Sequence, residues 1–81
     1  MERRINKGLE NLKPFLREGE ELLFNYYKIP KDDDPTVEQF MKQYEKLYQN
    51  MRIIENAAFH SDGYLMEDSV AVVGIPKPVS E

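Results

Sequence analysis

The stretch Val37-Glu38-Gln39-Phe40-Met41-Lys42-Gln43-Tyr44-Glu45-Lys46-Leu47-Tyr48-Gln49-Asn50-Met51-Arg52-Ile53-Ile54-Glu55-Asn56-Ala57-Ala58 decides how the fold is read. Its apolar residues Val37, Phe40, Tyr44, Leu47, Met51, Ile54 and Ala58 follow one another at steps of 3, 4, 3, 4, 3 and 4. That spacing returns to one face of an α-helix, so a single long amphipathic helix is expected here. Met41 and Tyr48 widen the stripe, and Glu38 with Lys42 adds an i,i+4 pair on the other face. Two starts compete: Asp34 followed by Pro35, or a capping box formed by Thr36 and Gln39. Ser61-Asp62-Gly63 supplies the turn that ends the segment.

Upstream, Lys28-Ile29-Pro30-Lys31-Asp32-Asp33-Asp34-Pro35 reads as a loop. Before it, Ile5, Leu9, Leu12, Leu16, Gly19, Leu23 and Tyr26 repeat at steps of 4, 3, 4, 3, 4 and 3, with Phe15 and Leu22 beside them. This predicts a first helix over residues 3–28. Pro14 kinks that helix or breaks it into two, because proline lacks a backbone donor and clashes with the carbonyl four residues earlier. Gly8 and Gly19 each cost about 1 kcal/mol relative to Ala in a helix interior. Downstream, Ser69-Val70-Ala71-Val72-Val73-Gly74-Ile75 is short and β-branched and reads as one strand. Its apolar run needs pairing, either with Tyr64-Leu65-Met66, with another subunit, or with the sheet edge of a different protein.

The expected architecture is therefore mainly α: an antiparallel two-helix hairpin over residues 1–63, followed by a C-terminal extension over 64–81 with one short β segment. Two rods of this length leave part of each apolar stripe wet, which predicts a homodimer built as a four-helix bundle. Phe15, Leu22, Phe24, Tyr27, Met41, Tyr48, Val70 and Val72 are the expected partner-binding residues, from the helical faces and the strand. Phe24 and Tyr27 flank the first stripe on opposite sides, so simple hairpin packing leaves one of them exposed.

Composition bounds the chemistry. The 81 residues make room for one small domain with a formal net charge of -4. No apolar run is long enough to cross a bilayer, and no apolar core follows the basic residues of Met1-Glu2-Arg3-Arg4-Ile5-Asn6-Lys7, so a cytoplasmic chain with no membrane partner is expected. The absence of Cys removes disulfides, thiolate metal sites and cysteine nucleophiles, and one His excludes a multi-histidine site. The four glycines are too dispersed for a phosphate loop, and no Glu-x-x-His pair offers a di-iron site. Asp32-Asp33-Asp34 offers oxygen ligands without the alternation of a calcium loop, and reads as a solvated turn at the start of a helix. His60, Ser61 and Asp62 are the residue types of a catalytic triad, but triad members converge from separate elements, and adjacency assigns them no reaction.

The sequence thus points away from an enzyme and implies no cofactor. It predicts a small noncatalytic protein-protein interaction module, a regulator, inhibitor or assembly factor of phage or bacterial type. The alternative is a nucleic-acid-binding regulator using Arg3, Arg4 and Lys7 in a dimer, although few cations on an acidic chain make counterion release weak. Mimicry of DNA is disfavoured because acidic and basic residues are interspersed.

Overall fold

A computed structural model describes residues 6–78. The elements run α1 (Lys7–Leu12), a 3-10 turn (Lys13–Phe15), β1 (Glu21–Tyr27), α2 (Val37–Lys42), β2 (Tyr48–Glu55) and β3 (Ser69–Pro76). The strands form one antiparallel sheet in the order β1-β3-β2, so the last strand of the chain lies in its centre. Strands from both sides of residue 63 share this sheet.

This architecture overturns the mainly α hairpin and, with it, the four-helix bundle. The first helix is broken at Pro14, not kinked: α1 ends after six residues and Pro14 sits at the start of the 3-10 turn. Asn6 caps α1, its side chain accepting from the Leu9 amide at 3.0 Å. Leu16 is already extended, and Gly19 turns the chain with φ +83°, a left-handed conformation that glycine adopts without penalty. Beyond it Leu22, Phe24 and Tyr26 belong to a strand.

The long second helix also divides. Thr36 and Gln39 form the reciprocal capping box, with Gln39 N to Thr36 Oγ1 at 3.2 Å and Thr36 N to Gln39 Oε1 at 2.8 Å, yet α2 stops at Lys42. Turns carry the chain to Tyr48, and within the strand that follows Tyr48, Ile53 and Ile54 are the residues that favour extended backbone. Asn50 and Asn56 take left-handed φ values of 52° and 59°, at the irregularity in β2 and just past its end. The helical spacing misleads for a physical reason. A sheet covered on both faces needs apolar residues at odd and even positions alike, and steps of 3 and 4 then arise without a helix.

The two coverings differ in kind. On the first face Ile54, Ala71 and Val73 pack with Leu12 and Ala57, flanked by Leu16, Leu22 and Phe59. On the second, side chains of β1 meet α2 and the turn after it: the Phe24 ring lies 5.9 Å from Phe40 and 5.2 Å from Tyr44, and Tyr26 lies 4.8 Å from Phe40. Val70 and Val72 alternate with Ala71 and Val73, so they belong to this second face, where both are buried. The pairing that β3 requires is supplied on both sides by its own chain. Leu65 instead bridges Phe59, in a small hairpin closed by His60 N to Tyr64 O at 2.9 Å and Met66 N to Ala58 O at 2.7 Å.

Two devices hold the first face in place. The Glu20 side chain is only 3% exposed, and its carboxylate accepts from Arg52 Nε at 2.7 Å, Arg52 Nη2 at 2.8 Å and the Arg17 amide at 2.7 Å. Arg52 Nη2 also donates to the Phe15 carbonyl at 2.8 Å, so one guanidinium ties the 16–20 turn to β2. These Arg52 hydrogen bonds outweigh burial and pull the Glu20 carboxyl down to about 2. The second device is the contact of α1 with the hairpin: Lys7 N donates to Ser61 O at 3.0 Å and Asn11 Nδ2 to Gly63 O at 2.8 Å. Gly8 makes this approach possible, because a Cβ there would run into the His60 carbonyl.

Candidate functional site

The polar residue that sets β1 apart is Asn25. The strand reads Glu21-Leu22-Leu23-Phe24-Asn25-Tyr26-Tyr27, and Asn25 pairs across the ladder with Ala71, on the side of the sheet that holds the aliphatic core. Asn25 Oδ1 is buried and has no hydrogen-bond partner among the described residues. A buried carboxamide oxygen without a partner costs about 1–3 kcal/mol, so an apolar side chain would serve the fold better there.

Two clefts meet at this residue. One, of about 270 Å³, runs between α1, β1 and the 57–66 hairpin; Leu9, Leu12, Leu22, Phe59 and Met66 supply its apolar wall, and Asn6, Asn25, His60 and Ser61 its polar groups. Among the described residues no carboxylate, Lys or Arg lines it. The other, of about 370 Å³, lies over the C-terminal half of β1 and shares Asn25 and Met66 with the first. The walls of the first cleft are held by the α1 contacts with Ser61 and Gly63. His60 is oriented too: its ring stacks on Tyr64 at 4.7 Å with 9° between planes, and Nδ1 accepts from the Asp62 amide at 3.2 Å.

Beside the clefts runs the outer edge of β1, which has no strand partner among the described residues. Charged side chains of both signs flank it: Arg17 and Glu18 at one end, Lys28, Lys31, Asp32, Asp33 and Asp34 at the other, the loop being tied to the strand by Tyr26 Oη donating to the Pro35 carbonyl at 2.6 Å. Partial burial, with the Asp34 charge added, raises the Tyr26 hydroxyl above its usual range. Tyr27 is 57% exposed, and Ile29 beyond it is more exposed still. Both edge strands carry a register shift, β1 between Leu22 and Phe24 and β2 between Gln49 and Arg52, where Asn50 is left-handed; β2 carries Arg52 and Glu55 in its regular part.

The residues expected from sequence to meet a partner fall in several places. Phe15 is exposed on the first face with its ring 6.1 Å from Phe59, and Leu22 lines the 270 Å³ cleft. Phe24 is half-buried in the aromatic cluster, and Met41 is half-buried in α2. Tyr48 is half-buried with its hydroxyl donating to Glu21 Oε1 at 3.3 Å, and Tyr27 stands at the end of β1. Val70 and Val72 are enclosed in the central strand. Asp32, Asp33 and Asp34 are exposed, and among the described residues no three His, Asp or Glu side chains gather as metal ligands. Arg3 and Arg4 lie outside the described residues, which leaves Lys7 alone of the basic trio in view.

Asn25 and the clefts were not visible to sequence reasoning. The available signal was an Asn inside an otherwise apolar and aromatic run, which has meaning only once the run is known to be a strand. No helix among the described residues is long and apolar enough to cross a membrane. The chain matches no known protein family, no curated protein and no solved structure.

Proposed function

We propose that this chain is a noncatalytic protein-protein interaction module whose partner adds an extended segment to the outer edge of β1. The supporting observation is that edge itself: past the register shift between Leu22 and Phe24, the strand runs regularly to Tyr27 without Lys or Pro and is unpaired among the described residues. Natural edge strands are usually blunted by such residues, because a row of free amides and carbonyls recruits another strand. The ladder contributes affinity, and alternate side chains contribute specificity. Asp32, Asp33 and Asp34 outnumber Lys28 and Lys31 in the loop beside the C-terminal end of β1, which favours a partner segment carrying Lys or Arg.

A short synthetic peptide alternating valine and lysine is the direct probe, followed by ¹⁵N amide shifts. Perturbations confined to Glu21–Tyr27, weakening as salt is raised, are expected. Shifts that map elsewhere, or a matching valine–glutamate peptide that binds equally well, would refute the proposal. Light scattering on the chain alone tests the homodimer: a dimer whose protected amides lie on β1 would make a second copy the occupant in place of a basic segment.

A further inference from the structure

We propose that the 270 Å³ cleft behind β1 binds a small uncharged molecule that carries an amide on an apolar body, with the Asn25 carboxamide as its principal hydrogen-bond partner. Three observations converge on this ligand chemistry. Asn25 carries a carboxamide whose Oδ1 is buried without a partner among the described residues, on a residue that lines both clefts. Departures from the stabilising choice of residue concentrate at functional positions. The second observation is charge. With no carboxylate, Lys or Arg in the lining among the described residues, an ionised ligand would lose its hydration without a counter-charge. The third is the pairing of donor and acceptor capacity. Asn25 offers both an acceptor and donors, and the His60 ring is fixed by Asp62 and Tyr64.

A carboxamide is best complemented by another amide, since the two exchange a pair of N–H to O=C hydrogen bonds side by side. The terminal torsion of Asn is broad, so either end of the group swings toward the cleft at little cost. The remaining lining, Leu9, Leu12, Leu22, Phe59 and Met66, takes the apolar body. The volume lies just under the roughly 300 Å³ at which pockets for drug-sized ligands begin, so the ligand is compact. The cleft keeps its shape because α1 is fastened to the hairpin at Ser61 and Gly63 and seated by Gly8.

The experiment is an amide-shift titration of the full chain with benzamide, and with benzoate and toluene as near-isosteric controls that change the charge or remove the amide. Benzamide is expected to bind with a Kd on the order of 1 mM, typical of a fragment, and to shift Asn25, Phe59 and His60 together. Benzoate and toluene are expected to be at least tenfold weaker. Asn25→Val is expected to abolish the benzamide shifts while raising Tm by about 4 °C, because it removes the unpartnered amide. No saturable benzamide shift at the cleft, or equal binding of toluene, would overturn the proposal on the unmodified chain alone. A fall in Tm for Asn25→Val would also overturn it, since Asn25 would then serve the fold.

Discussion

The two faces of the sheet are covered by different segments of the chain and held by different physics. On the first face aliphatic side chains pack beneath α1 and the 57–66 hairpin, with a partly buried ion pair and backbone hydrogen bonds fixing the cover. On the second, the six-residue α2 and the turn after it lay Phe40 and Tyr44 across Phe24 and Tyr26, and all four rings remain partly exposed. Aliphatic groups stabilise chiefly by leaving water altogether, whereas aromatic rings gain from edge and offset contacts even when half wet. The first face is therefore the rigid side of the molecule, and the second is the side on which a cover of one short helix is sufficient.

The sharpest way to break this contrast is at Glu20. Glu20→Ala leaves the Arg52 guanidinium without its carboxylate and is expected to lower stability by about 3–4 kcal/mol in urea unfolding. Acid offers the same test without a mutation. The Glu20 carboxyl is lowered from 4.5 to about 2 in the folded chain, so its contribution is complete above about pH 5 and is lost as the pH falls toward 2. A Glu20→Gln variant should show a smaller loss of stability over that window than the unmodified chain, and equal losses in the two would place the acid sensitivity elsewhere.

Next in size is Gly8→Ala. In an exposed helix this change gains about 1 kcal/mol; here the new Cβ meets the His60 carbonyl and a loss of about 2–3 kcal/mol is expected, with faster exchange of the Lys7 and Gly63 amides. On the aromatic face, Phe24→Ala removes the ring that both Phe40 and Tyr44 touch. Because that ring is half-exposed, a loss of about 2 kcal/mol is expected, below the range for a fully buried Phe. The smallest effect is expected at Thr36→Ala, which removes one half of the capping box and costs about 1 kcal/mol, read as helicity lost from α2 alone. If Thr36→Ala destabilises as much as Glu20→Ala, the faces are equally rigid and the contrast fails.

Several of these features were legible in the amino-acid sequence. The loop over residues 28–35, the Thr36–Gln39 capping box, the turn at Ser61-Asp62-Gly63 and the strand beginning at Ser69 all rest on local chemistry: proline, side-chain caps, glycine at φ 102° and consecutive β-branched residues. What was not legible is the extended state of Glu21–Tyr27 and Tyr48–Glu55. Each segment carries apolar side chains on both faces, and such a segment satisfies helical spacing as readily as strand alternation. The site escaped for the same cause, since Asn25 is ordinary on a helix and conspicuous on a covered strand.

Local bonding rules settle where this chain turns, where its helices begin and which segment is richest in β-branched residues, because those choices involve neighbours a few positions apart. Tertiary contact alone decided that β3 goes to the centre and draws β1 and β2 out of their helical pattern. A strand with Val70, Ala71, Val72 and Val73 in sequence has both faces and both edges to cover, and only distant segments of the chain can cover them.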